Sequence, residues 1–138
     1  MTRRDLNLII PMMAMSRAAG ERVTLPSEIF RFDDLPVHQS GQNRTRAMLQ
    51  GATHTGCNIE IHQTELSPGD APHPPHHHAH EEMILIREGT MEVTISGKSA
   101  VLGPGSAAYV ASNEEHGWRN VGTTRAHYFI LALGTDQA

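Results

Sequence analysis

A histidine-rich segment between two glycines constrains this chain more than any other feature. Residues 69–89 read GDAPHPPHHHAHEEMILIREG, which places His76, His78 and Glu82 in the order H-x-H-x-x-x-E. A second block starts at His116, 34 residues after Glu82, and reads HGWRN, an H-x-x-x-N pattern. Three imidazoles and one carboxylate suit a divalent transition metal such as Fe, Mn, Ni, Co, Cu or Zn. We therefore expect a fold in which the two blocks meet at one ion.

The spacing within the first block leaves the choice of ligands partly open. Residues two apart on a strand point to the same face, so His76 and His78 can bind one ion side by side. His80 and Glu82 share that parity, and an uninterrupted strand would present all four residues on one face. Parity alone therefore cannot choose between His78 and His80 as the second ligand. Glu81 is an alternative to Glu82 as the carboxylate.

The rest of the chain has the pattern of an all-β protein. Short apolar or alternating segments, ended by Gly, Pro or polar turns, recur about every eight to twelve residues, which is typical of a sandwich or barrel. The predicted strands cover residues 44–49, 57–66, 83–86, 91–95, 99–102, 107–110, 116–120 and 127–133. Two short extended pieces are expected at 23–25 and 29–32, and residues 38–43 are expected to form a loop.

Together the two histidine blocks resemble the motifs of the cupin superfamily. The first motif of that family is similar to the pattern at Gly69, His76, His78, Glu82 and Gly89, although six residues rather than the usual five precede His76.

The second cupin motif resembles the positions Gly103, His116 and Asn120. A Pro-x-Gly is usual before its histidine, and residues 111–115 read ASNEE here, so the approach to His116 departs from the family pattern. The resemblance covers roughly residues 57–134. It implies a double-stranded β-helix, the jelly-roll cupin barrel, as one domain over residues 23–138, with an N-terminal helix or arm before it.

The resemblance also resolves the ligand set. It implies that the metal ligands are His76, His78, Glu82 and His116. A bend near Ala79-His80 would then carry Glu82 onto the next strand, facing the two earlier histidines. The neighbouring histidines His73, His77 and His80 are left at the rim of the site.

Other side chains are candidates for substrate contact or catalysis, without an assigned role. They are Glu81, Glu115, His80, Tyr109 and Trp118, followed by Tyr128, His62 and Arg46. Ile84 and Ile86 share the parity of Glu82 and are expected to line the barrel floor. Met83 and Leu85 point the other way, and an apolar outer face favours a homodimer.

Composition narrows the classes of partner. The 138 residues fit one domain, the formal charge is −4, and no basic run exceeds two residues, so nucleic acid is not an expected partner. The single cysteine does not report the compartment. Residues 1–22 hold a twin arginine and a short apolar stretch, which resemble an export signal, and the alternative is an arm that packs on a neighbouring subunit. The stretch is too short to span a membrane, and both a cytoplasmic and an exported location stay open.

Three functions remain open from the sequence. The cupin resemblance favours a metal-dependent enzyme of the oxygenase type that acts on a small organic substrate in the barrel. A non-redox isomerase or hydrolase would use Glu81, Glu115 or His80 as its general base. A binding protein would hold a sugar or an organic acid without turnover.

Overall fold

The computed structural model describes residues 24–134, and the regular secondary structure of this part of the chain is almost entirely β-strand. A short 3-10 helix at Phe32–Asp34 comes first. The strands that follow are β1 (Val37–Ser40), β2 (Asn43–Ala52), β3 (Asn58–Leu66), β4 (Glu81–Glu88), β5 (Met91–Ile95), β6 (Lys98–Leu102), β7 (Ala107–Val110), β8 (His116–Asn120) and β9 (Ala126–Leu133). The expected N-terminal helix or arm and export signal lie outside the described residues.

Two antiparallel sheets enclose the core. One sheet has six strands in the order β1-β2-β3-β9-β4-β7, and the other has three strands in the order β6-β5-β8. Neighbours such as β3 and β9 are far apart in the chain, which is the pattern of a jelly roll rather than of a simple meander. The all-β jelly-roll prediction is therefore confirmed, while the predicted domain boundaries stay a prediction.

Two predictions near the start of the described chain are wrong. Residues 38–43, predicted as a loop from their polar composition, belong to a hairpin in which Ser40 pairs with Asn43 across Gly41. An exposed edge strand does not need apolar residues, so composition is a poor guide there. Residues 29–31 form no strand, and the chain turns into the 3-10 helix instead.

The apolar core fills one end of the barrel. Its buried residues come from both sheets and comprise Leu66, Ile84, Ile86, Met91, Val93, Trp118, Ala126, Tyr128 and Ile130. Burying each large side chain contributes about 1.5–3 kcal/mol before entropic costs. The predicted inward direction of Ile84 and Ile86 is confirmed, because both are buried while Leu85 between them is 40% exposed. The homodimer expected from that outer face stays a prediction.

Asn120, the last residue of the second histidine block, closes this end of the barrel. Its side-chain amide donates to the carbonyls of Leu66 and Thr124 at 2.9 and 2.8 Å, and its Oδ1 accepts from the amide of Gly122 at 2.9 Å. A fully buried amide with three partners ties together three segments of chain. The asparagine of the motif is therefore structural.

A polar cluster covers the outer face of the six-stranded sheet. Arg46 is buried there, forms an ion pair with Glu65, and lies with its guanidinium 4.3 Å from the centre of the Phe32 ring. Burial alone would raise the pKa of Glu65, but the hydrogen bond and charge of Arg46 outweigh it and hold that pKa below its usual value. Arg46, a candidate for ligand contact in the sequence, is thus used to fasten the 3-10 helix to the sheet.

His127 in this cluster is expected to make stability depend on pH. Its Nε2 donates to Gln63 Oε1 at 2.7 Å and its Nδ1 accepts from Arg87 at 3.2 Å, so both nitrogens are satisfied in the neutral ring. Burial, followed by the charge of Arg87, lowers the pKa of His127 below 6.5. Protonation then favours the unfolded chain, and the free energy of unfolding should fall as the pH drops below about 6.5.

Urea denaturation at pH 7.5, 6.0 and 5.0 measures this dependence, with His127→Gln as the comparison. The variant should lose stability at pH 7.5 and show a shallower decline toward pH 5 than the original chain. Equal slopes in the two proteins would contradict the assignment.

Candidate metal centre

Four side chains from three parts of the chain meet at the end of the barrel opposite Asn120. His76 and His78 come from the histidine-rich segment, Glu82 is the second residue of β4, and His116 is the first residue of β8. One ligand atom from each lies within 4.8 Å of the other three. These are the four residues that the sequence predicts as metal ligands, and their convergence supports that prediction.

The histidine-rich segment reaches this position without being a regular strand. It follows the outer edge of β8, where Asn120 pairs with Gly69 and Asp70 at one end and His76 pairs with His116 at the other. Five residues, 71–75, bulge out opposite only three residues of β8. Three of the five are prolines, which lack the amide hydrogen that a ladder needs. The expectation that His76 and His78 share one strand is therefore wrong, although the predicted bend at residues 79–80 is present.

The histidine nitrogens that face the centre have no hydrogen-bond partner. The Nε2 atoms of His76, His78 and His116 are buried and unsatisfied. His78 Nε2 lies 2.9 Å from Glu82 Oε1, and His116 Nε2 lies 3.5 Å from Glu82 Oε2, but neither pair has the alignment of a hydrogen bond. Buried polar atoms in proteins are nearly always paired. Three unsatisfied nitrogens around one carboxylate fit a bound cation.

Backbone carbonyls fix the tautomer of two of these rings. His78 Nδ1 lies 2.8 Å from the carbonyl of His80, and His116 Nδ1 lies 2.9 Å from the carbonyl of Glu114. A carbonyl only accepts, so each Nδ1 carries the hydrogen and each Nε2 presents a lone pair to the centre. In metal sites, such a hydrogen bond from the other ring nitrogen orients the histidine toward the ion.

His76 is kept neutral by its surroundings. Burial lowers its pKa to about 4, and the neighbouring His73, His116 and His78 add to the effect, while Glu82 opposes it. A neutral imidazole is the form that binds a metal. His76 is therefore ready to bind at neutral pH without first releasing a proton.

The alternative ligands are placed differently. The ring of His80 stacks on that of His78 with centres 3.7 Å apart, and its Nε2 is 3.3 Å from Glu82 Oε1, so His80 borders the centre outside the converging set. Glu81 points to the outer face of the sheet, where its carboxylate accepts a hydrogen bond from Tyr109. The structure thus brings His78 and Glu82 together and leaves His80 and Glu81 beside them.

The remaining candidates divide between the interior and the surface. Trp118 is buried with its ring 5.6 Å from that of His116, and its Nε1 lacks a partner. Tyr128 is buried in the core, 6.4 Å from Trp118. Glu115 is exposed in the loop before β8. Of these, only Trp118 adjoins the candidate metal centre.

The two rim histidines of the segment have different surroundings. His73 stacks on His76 with ring centres 3.9 Å apart, and His77 is exposed. Beyond His73, a groove of about 770 Å³ lies between the bulge at residues 71–75 and strands β5 and β8. The His73–His76 stack separates this groove from the metal-facing nitrogens. The sequence had no signal for the groove, which depends on how far the bulge departs from β8.

The family of the chain follows from this fold and site. The cupin domain family matches residues 62–132, which is just over half of the chain and includes both histidine blocks. The chain belongs to the cupin family. No curated protein matches its sequence significantly.

Solved structures share the fold at low sequence identity. An RmlC-like cupin from Shewanella frigidimarina is 20% identical, with a TM-score of 0.65 over 80% of this chain and 95% of that one. KdgF from a Halomonas species is 15% identical, with a TM-score of 0.70 over 81% and 97%. The polyketide cyclase RemF from Streptomyces resistomycificus is 19% identical, with a TM-score of 0.62 over 80% and 81%. These likenesses show a common barrel, which hosts different activities.

Membrane insertion through helices has no support in residues 24–134. None of the helices there is long and apolar enough to cross a bilayer.

Proposed function

We propose that this cupin is a metal-dependent enzyme of the oxygenase type that acts on a small organic substrate inside the barrel. The observation that carries the proposal is the set of three buried, unsatisfied Nε2 atoms around the carboxylate of Glu82. Without a cation these nitrogens would destabilise the folded protein, because each unpaired buried group costs roughly 1–3 kcal/mol.

The four ligands leave open coordination positions at which a reaction could take place. Four protein ligands on a six-coordinate ion leave two positions for substrate, water or O₂, which is a feature of catalytic rather than structural sites. A bound Fe or Mn ion would supply Lewis acidity and a redox couple at those positions. His76, His78 and His116 would hold the ion through Nε2, and Glu82 would supply the one negative charge.

Buried apolar side chains on one side of the candidate metal centre favour a reaction from which water is excluded. Ile84 follows Glu82 on the interior face of β4 and is fully buried, and Trp118 closes the side toward β8. These side chains exclude water from one flank of the centre. A low-dielectric environment strengthens electrostatic interactions between the ligands and a bound substrate.

The placement of Glu81 and Glu115 argues against these two residues as the general base of a non-redox enzyme. An isomerase or hydrolase needs a general base within hydrogen-bond reach of its substrate. Two of the three bases considered, Glu81 and Glu115, lie on the outer face and in an exposed loop. Only His80 borders the centre, and it already contacts Glu82.

Metal analysis and oxygen consumption test the proposed function. Protein purified without a nickel column should carry about one equivalent of Fe or Mn, and a screen of small organic acids should reveal one that stimulates O₂ uptake. Metal-stripped protein is the control and should consume none. Zinc alone, with no O₂ uptake after reconstitution with Fe or Mn, would favour the non-redox enzyme or the binding protein.

A further inference from the structure

Two polar residues on β3 face the barrel interior beside the metal centre. Glu82 on β4 pairs with Ala132 on β9, and Ala132 pairs with Glu60 on β3. Residues that pair directly across neighbouring strands point to the same face of the sheet, so Glu60 faces the interior as Glu82 does. His62 lies two residues further along β3, shares this face and pairs with Ile130 of the core.

The row that joins Glu60 and Glu82 holds only one small side chain between them. Glu60 and Glu82 are two strands apart, or roughly 10 Å between Cα atoms at the usual strand spacing. The residue between them is Ala132, whose side chain is a single methyl group. A ligand that extended from the metal along this row toward β3 would meet only this methyl group on the way.

Glu60 and His62 form a hydrogen-bonded pair. His62 Nδ1 lies 2.7 Å from Glu60 Oε1, and the two side chains are 18% and 26% exposed. An ionised carboxylate only accepts, so Nδ1 carries the hydrogen and Nε2 of the neutral ring presents a lone pair. The hydrogen bond to Glu60 uses Nδ1 and leaves Nε2 on the other side of the ring. A carboxylate thus orients an imidazole whose other nitrogen is ready to accept a hydrogen bond.

We propose that the Glu60–His62 pair is the second anchoring point of the substrate and accepts a hydrogen bond from a substrate hydroxyl. The inference rests on the proposed function, because the first anchoring point is the metal. A carboxylate at the open metal positions and a hydroxyl at His62 Nε2 define the substrate class as a small organic acid with a hydroxyl at its far end. Ile130, which pairs with both His62 and Ile84, makes the neighbourhood of His62 on this face apolar.

A matched pair of probes tests this inference by binding rather than by activity. Benzoate and 4-hydroxybenzoate differ only in the distal hydroxyl, and calorimetry on manganese-loaded protein measures the affinity of each. The hydroxylated probe should bind on the order of tenfold more tightly, as expected for one added hydrogen bond to a preorganised acceptor. His62→Phe should abolish this preference.

Two further variants test whether the preference depends specifically on the Glu60–His62 pair. His54→Phe removes an exposed imidazole from the loop that precedes β3 and should keep the tenfold preference. Glu60→Gln preserves the shape of the side chain but loses the charge that orients His62, so the preference should shrink. Thermal unfolding of each variant shows whether the fold is retained.

The outcomes distinguish this inference from the proposed function. An unchanged preference in His62→Phe, no preference in the original protein, or no binding of either acid to metal-loaded protein would overturn the second anchoring point. Elemental analysis of the same samples reports the metal separately. A protein that holds no manganese, iron or other transition metal overturns the proposed function, and the inference with it.

Discussion

Replacing Glu82 by alanine should abolish tight binding of the metal while leaving the barrel folded. Glu82 is the only carboxylate of the four converging side chains, and its oxygens lie 2.9 Å from His78 Nε2 and 3.5 Å from His116 Nε2. Loss of a residue that only hydrogen-bonds to a ligand weakens a metal site by about 10- to 100-fold, so loss of a ligand itself should cost at least about 100-fold in affinity. Metal content after dialysis, measured by elemental analysis, gives the result directly.

The same measurement on five histidine variants tests the rest of the assignment. His76→Ala and His116→Ala should lose metal as Glu82→Ala does, although His116 is 34 residues from Glu82 in the chain. His77→Ala is the matched control, because His77 is exposed in the same segment, and it should retain the metal. If His80→Ala lost the metal and a His78→Ala variant kept it, the ligand set would be wrong.

Replacing Gly89 by alanine should strongly destabilise the protein. Gly89 follows β4 with φ at +89°, and a Cβ there would lie 2.7 Å from the Cα and 2.8 Å from the Cβ of Ala126. The left-handed conformation costs an ordinary residue roughly 1–2 kcal/mol, and overpacking against backbone adds about 1–3 kcal/mol. We expect a loss of about 3 kcal/mol in the free energy of unfolding and a fall of roughly 10 °C in Tm.

Gly97→Ala provides the matched control for this prediction. Gly97 also has a positive φ, of +79°, but no heavy atom lies within 4 Å of the position of an added Cβ. Only the conformational cost remains, so the expected loss is about 1 kcal/mol. Urea denaturation of the two variants separates the conformational cost from the cost of overpacking. Equal losses would show that contact with Ala126 adds nothing.

The spacing of the first motif has a physical explanation in β4. Glu82 lies at the open end of the barrel, and Gly89 follows the same strand at the closed end, where it contacts Ala126 at the start of β9. The six residues between them span the barrel from one end to the other along β4. A change in their number would shift either the carboxylate out of the metal centre or the glycine away from Ala126.

The sequence predicted the strands of the barrel well where apolar and polar residues alternate. Residues 91–95, which read MEVTI, form a strand with the predicted bounds, because one face of the strand is buried and the period of two is visible in the chain. Prediction failed at 38–43, where both faces of the edge strand are largely exposed and no alternation marks it. It also failed for the path of His76 and His78, which depends on where the prolines interrupt pairing with β8.

What the sequence by itself determined is the family, the all-β class and the four residues that could hold a metal, because residue types and short spacings are local properties. Only the tertiary structure decided which side chains face one another. It placed Glu81 and Tyr109 outside the barrel and assigned Arg46 and Asn120 to structural contacts. It also brought Glu60 into the row of Glu82 and His62 onto the same face of the sheet. Which side chains face one another depends on the strand register between β3, β9 and β4. This register is set by pairing between segments far apart in the chain, which no local pattern encodes.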